Sequence, residues 1–107
     1  MSSKKYNKLV RDRIPEIIVQ SGKRPAYSFL SDEDYLARLD EKLNEELAEY
    51  QESKSMEELA DLLEVIRAVA GARGSSFEEV ETIRQDKAAK RGGFEQKILL
   101  TEVITDD

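Results

Sequence analysis

The chain contains no cysteine and no histidine. The first absence excludes disulfides, thiolate metal sites and a cysteine nucleophile. The second removes the usual transition-metal ligand, the usual general base and any Ser-His-Asp triad. No apolar run approaches the roughly 20 residues of a membrane span, and no hydrophobic signal segment follows Met1, so a soluble, cytoplasmic protein is expected. Proline occurs only at Pro15 and Pro25, and glycine enters residues 26–92 only at Gly71, Gly74 and Gly92. That scarcity of breakers favours long helices in the middle of the chain. Any chemistry here falls mainly to carboxylates.

What the chain has in abundance is charge. Charged residues make up 37% of its 107 residues and hydrophobic ones 39%, enough for one modest core. The expectation is a single domain over residues 1–107, with 1–5 and 105–107 flexible. The net charge is −6, and it is unevenly spread. Residues 32–64 hold 13 acids against three bases, Arg38, Lys42 and Lys54. Two flanking segments are basic: Lys4, Lys5, Lys8, Arg11 and Arg13 near the start, then Arg84, Lys87, Lys90, Arg91 and Lys97. An acidic surface would repel a duplex phosphate backbone, so no nucleic-acid partner is expected. A basic rim around an acidic centre suits a smaller anion bound through divalent cations, although charge runs are also ordinary solvated helix faces.

Periodicity places the elements. Pro15 sits in the first turn of a helix that stops at Gly22. Arg24 to Leu30 reads as an extended connection. Ser31 followed by Asp32, Glu33 and Asp34 marks a helix start, and Leu36, Leu39, Leu43, Leu47 and Tyr50 form one apolar stripe. Ser55-Met-Glu-Glu58 is a capping-box pattern, in which Glu58 would reach back to the Ser55 N–H. The following run, Leu59, Leu62, Leu63, Val65, Ile66 and Val69, is apolar on more than one side, which predicts a central helix ended by Gly71 and Gly74. Ser76-Phe-Glu-Glu79 opens another helix, reaching about Lys90 before Gly92-Gly93. Phe94 to Ile104 reads as strand or extended tail. The predicted architecture is all-α, an antiparallel helical bundle with a short extended or β C-terminal tail.

Two acidic pairs stand out within it. Glu46 and Glu49 lie three residues apart on one helix, as do Glu58 and Asp61 on the next, so each pair shares a face. If the helices pack antiparallel about a turn at Gln51–Lys54, Glu49 faces Glu58 and Glu46 faces Asp61. Two rungs result, roughly 4.5 Å apart along the axis at ~1.5 Å rise per residue. No lysine or arginine of these segments is expected to offset the repulsion, whereas a hard divalent cation would. An oxygen-only donor set selects Mg²⁺, or alternatively Mn²⁺. Glu45 and Glu64 adjoin the cluster. Glu64 reads equally as a further ligand or base and as a solvated edge residue.

The segments Lys42-Leu-Asn-Glu-Glu-Leu-Ala-Glu49 and Glu57-Glu-Leu-Ala-Asp-Leu-Leu-Glu-Val-Ile66 resemble the E-x-x-E and E-x-x-D motifs of the MazG-like all-α nucleoside triphosphate pyrophosphohydrolases. Tyr6-Asn-Lys-Leu-Val-Arg-Asp-Arg-Ile-Pro15 and Lys87-Ala-Ala-Lys-Arg-Gly-Gly-Phe94 narrow the resemblance to its small, single-domain house-cleaning branch. The spacing between the two acidic motifs is shorter here than in typical members. The resemblance implies that Glu46, Glu49, Glu58 and Asp61 hold Mg²⁺. It further implies that a noncanonical nucleoside triphosphate or deoxynucleoside triphosphate is cut to monophosphate and pyrophosphate. Metal would orient and acidify a water whose proton Glu46 or Glu49 accepts. Lys8, Arg11, Lys87 and Arg91 would bind phosphate oxygens. Phosphoribosyl-ATP is an alternative substrate within the same chemistry. A non-catalytic acidic module that binds a basic partner is a reading of a different class. The partly covered third helix, and the family, also imply a homo-oligomer, a dimer or tetramer.

Overall fold

Two serines set where the long helices begin. In the computed structural model, which describes residues 2–106, Ser31 accepts a hydrogen bond from the Asp34 N–H and opens α2, Asp32–Ser53. Ser55 likewise accepts from the Glu58 N–H and opens α3, Met56–Ala72. Each cap satisfies one of the N–H groups that a helix start leaves without an intrahelical partner. Three acids in the first turn of α2 and two in that of α3 add favourable charge at the positive end of each dipole.

Before these helices comes α1, Ile14–Gln20, with proline in its first turn. Gly22 follows it in the left-handed conformation at φ 90°. After them comes α4, Phe77–Arg91. All the regular structure among the described residues is helical. Residues 97–106 form neither helix nor strand, so the β alternative for the tail is not realised there. The two end residues, on which part of the expected flexibility falls, lie outside the described residues.

Backbone contacts divide the chain into two units, one up to Phe77 and one from Glu78 onward. In the first, α2 and α3 pack on each other through a two-residue turn, Lys54-Ser55. Lys54 takes a left-handed conformation at φ 58°, and its N–H bonds to the Tyr50 carbonyl at 2.7 Å. The helix therefore continues through Ser53, past the point where the sequence suggested a turn. The short turn imposes the antiparallel sense, and an ion pair far from it, Arg73 to Asp40 at 3.0 Å, joins the two helices. α3 ends beyond Gly71, which lies inside its last turn. The stop is at Gly74, left-handed at φ 84°, and the Ser75 N–H closes on the Ala70 carbonyl.

The buried apolar side chains between these helices are Leu39 of α2 and Ala70 of α3, at 2% and 8% exposure. Leu36, Leu43, Leu62, Val65, Ile66 and Val69 surround them half-buried. The apolar stripe of α2 thus points inward at Leu39 but emerges at Leu47. On α3, Met56, Leu59 and Leu63 remain exposed, so the helix expected to be central is covered on one side only among the described residues. α1 packs on neither α2 nor α3. The segment before it, residues 7–11, lies on the helix pair instead.

The second unit holds α4 beyond Phe77. Glu78 and Glu79 lie in the helix's first turn and Lys90 and Arg91 in its last, complementing the dipole at both ends. The Gly92 N–H caps the Ala88 carbonyl, with Gly92 left-handed at φ 81°. Beyond it, Phe94, Ile98, Leu99, Leu100, Val103 and Ile104 are all exposed.

Candidate metal centre

The i, i+3 spacing and the antiparallel turn together deliver the carboxylates to one place. Glu46, Glu58 and Asp61 each present an oxygen, and the three atoms lie within 4.8 Å of one another. Glu45, Glu46 and Glu49 form a second such group, so Glu46 belongs to both. Glu49 also acts on Glu58 by charge. The Glu46–Asp61 rung expected from the register is thus present as a contact, and Glu49 influences Glu58 electrostatically.

Glu46 is the deepest member. It is 7% exposed, and its Oε2 is buried without a hydrogen-bond partner. A buried acceptor left unmatched costs free energy on the order of 1–3 kcal/mol, so it calls for a ligand or an explanation. Glu58, half-buried, has a second unpartnered Oε2. Asp61 is half-buried, and Glu49 is exposed at the rim.

The Glu58 carboxylate is not used in a capping box. The Ser55 N–H donates instead to the Ser53 hydroxyl at 3.2 Å. Only the Ser55-to-Glu58 half of the expected reciprocal pair forms, and the Glu58 side chain is left to the acidic cluster.

Three cations reach the cluster, and for Lys42, a base of the acidic segments themselves, that is contrary to expectation. Lys42 Nζ lies 3.4 Å from Glu45 Oε1 and 3.5 Å from Glu46 Oε1. Lys8 pairs with Glu45 at 3.2 Å, and Arg11 donates to Asp61 at 2.7 Å. The Lys42 contacts are i, i+3 and i, i+4 pairs on one helix, so that signal was present in the spacing. The other two link residues 37 and 50 positions apart, a proximity that folding alone creates.

These surroundings shift the acids in opposite directions. Burial, then the neighbouring Glu49, pushes Glu46 above the usual glutamate range, and Lys42 only partly counters this. Burial, then Glu49 and Asp61, raises Glu58 as well. Burial also acts upward on Glu45, but the combined hydrogen bonds and charges of Lys8 and Lys42 outweigh it and bring Glu45 down. The centre is therefore short of positive charge at Glu46 and Glu58 and supplied with it at Glu45.

The donor set suits a hard cation. An octahedral Mg²⁺ with ligands at about 2.1 Å needs its oxygens within about 4.2 Å of one another, a small side-chain adjustment from the spacing seen here. Of the residues expected to bind phosphate, Lys8 and Arg11 are brought to the carboxylates. Lys87 and Arg91 are exposed residues of α4 in the second unit. Glu64 is exposed and outside both carboxylate groups. No helix among the described residues is long and apolar enough to cross a membrane.

No family model matches the chain. An uncharacterised protein of Mycolicibacterium smegmatis (strain ATCC 700084 / mc(2)155) is 61% identical over 41 residues, 38% of this chain and 42% of that protein. The chain thus aligns with less than half the length of that relative. No solved structure matches.

Proposed function

We propose that the chain is a Mg²⁺-dependent nucleoside triphosphate pyrophosphohydrolase, releasing pyrophosphate and a nucleoside monophosphate. The observation that carries this reading is the buried, unpartnered Oε2 of Glu46, within a group it forms with Glu58 and Asp61. Glu46, Glu49, Glu58 and Asp61 would hold the metal, whose chemistry is to neutralise triphosphate charge and acidify a bound water. Glu49, at the solvent-facing rim, accepts the proton of the attacking water. Arg11 and Lys8 bind outer phosphate oxygens, and Lys87 and Arg91 are the further candidates for that role. The resemblance to MazG-like proteins adds the expectation of a noncanonical base, with phosphoribosyl-ATP as the alternative, and of a cytoplasmic house-cleaning role. It also adds a helical-bundle homo-oligomer, for which the exposed Leu47, Leu59 and Leu63 supply apolar surface.

A panel of canonical and damaged nucleoside triphosphates with Mg²⁺ tests the reading by separating pyrophosphate from orthophosphate release. Pyrophosphate with monophosphate supports it. Orthophosphate with diphosphate as the sole products would refute it.

One observation favours the non-catalytic module. Lys42, Lys8 and Arg11 already quench part of the acidic charge without any metal. Thermal stability separates the two readings: a metal centre is stabilised by millimolar Mg²⁺ beyond an ionic-strength control, by about 2.7 kcal/mol at a hundredfold excess over Kd. An acidic docking surface responds to ionic strength alone.

A further inference from the structure

The segment before α1 is pinned across both helices of the carboxylate pair. Arg38 Nη1 of α2 donates to the Asn7 carbonyl at 3.4 Å, Lys8 pairs with Glu45 of α2, and Arg11 pairs with Asp61 of α3. Asn7 is left-handed at φ 48°, a conformation that asparagine tolerates better than most residues. Leu9, between the two cations, is half-buried. The two groups of converging carboxylates therefore each have one member held by a cation of this segment: Glu45 by Lys8 and Asp61 by Arg11. Neither pair is deeply buried. Arg11 and Asp61 side chains are 59% and 43% exposed, so the contact is a weak one that a stronger cation displaces.

We propose that residues 7–11 are a tethered counter-ion strap. Arg11 and Lys8 occupy the carboxylates while no divalent cation is bound, and they yield them when one arrives. This rests on the metal reading above and adds regulation to that site. A guanidinium and a dication on one carboxylate repel, so binding of the metal and the Arg11–Asp61 contact oppose each other. The coupling is reciprocal: whatever weakens the strap tightens the metal. The strap cations freed in this way are then available to the phosphates of a metal-bound polyanion, which the same two charges would otherwise leave under-neutralised.

The test is isothermal titration of the full chain with Mg²⁺ alone, comparing the unmodified protein with Arg11→Ala, Arg11→Gln and, as a control, Lys23→Ala. Both Arg11 variants are expected to bind Mg²⁺ between about two- and fivefold more tightly, the range for one exposed ion pair, and Lys23→Ala as the unmodified protein does. Unchanged or weaker Mg²⁺ binding by both Arg11 variants overturns the strap and leaves the metal reading standing. No Mg²⁺ binding by the unmodified protein, with none gained in the variants, overturns both.

Discussion

Replacing Glu46 with glutamine isolates the tension at the centre of the molecule. The substitution keeps the shape of the side chain but removes its charge and adds a donor amide. Three contributions decide its effect on the metal-free protein. Glu46 is buried and beside Glu49, which makes its ionised form unfavourable, and the neutral amide removes both penalties. Its Oε2, now without a partner, can be replaced by an NH₂ that offers a donor to the neighbouring Glu58 carboxylate. Against these, Lys42 loses a charged neighbour at 3.5 Å, though it keeps Glu45 at 3.4 Å. Relief of one buried unsatisfied acceptor is worth about 1–3 kcal/mol, and the Lys42 contact, although largely buried, costs less to lose because Lys42 keeps its pair with Glu45. The first term wins. Glu46→Gln should therefore stabilise the protein in chelator by about 1–2 kcal/mol, and in a chain of this size each kcal/mol raises Tm by about 4–8 °C. In millimolar Mg²⁺ the order should reverse, because the unmodified protein gains binding energy that the variant has lost. Thermal and urea unfolding with and without Mg²⁺ measure both. A variant less stable than the parent in chelator would refute the account of an under-compensated buried acid. An equal Mg²⁺ gain in both proteins would refute Glu46 as a ligand.

Three further outcomes are expected. Glu46 and Glu58 titrate above the ordinary glutamate value of 4.5 when folded, so the folded state holds more protons than the unfolded one. Metal-free stability should then rise as pH falls from neutral through their folded pKa values towards 4.5, and fall again below it as Glu45 loses its lysine partners. Urea unfolding in chelator across that range measures the dome, and a monotonic loss on acidification would contradict it. Leu39→Ala should cost about 2–5 kcal/mol, as in other core truncations, leaving little folded protein by circular dichroism; a cost under about 1 kcal/mol would mean that the helix pair is not held at this point. Ser55→Ala should lose about 1 kcal/mol through its N-cap, whereas Glu58→Gln should leave the helix start intact, because the Ser55 N–H bonds to Ser53 rather than to Glu58. Helix content and amide exchange at the start of α3 distinguish the two.

How much of this was legible in the sequence depends on how local each interaction is. The caps at Ser31 and Ser55 and the inward stripe at Leu39 are short-range patterns, and the helices follow them. The approach of Glu46 to Asp61 was also legible, since an antiparallel pair joined by a tight turn has few registers. It survived a wrong turn position, with Lys54 left-handed and the helix running through Ser53, because side chains of this length span a shift of one residue. The reciprocal half of the capping box failed for a physical reason. The Ser53 hydroxyl is closer competition for the Ser55 N–H than a carboxylate drawn into a cluster of its own kind.

Lys8 and Arg11 were legible as candidates for phosphate but not as partners of the carboxylates, and that pairing changes what the cluster means. A sequence with 13 acids and three bases over residues 32–64 reads either as a solvated acidic face or as a cluster whose repulsion a divalent cation would offset. Folding brings two more bases from the start of the chain, and it places them unequally. Glu45 is supplied by Lys8 and Lys42, Asp61 by Arg11, and Glu58 by none of these three. Had the fold merely needed neutrality, cations would pair with the most buried acid first, because desolvation makes its charge the costliest. That pairing is only partial: Glu46 meets Lys42 through Oε1 but keeps Oε2 bare at 7% exposure, and half-buried Glu58 also keeps its Oε2 bare. The proposed divalent-cation binding gives that distribution a reason, since the two oxygens left without partners are buried, and Lys8 and Arg11, the cations that would yield, are held at the rim.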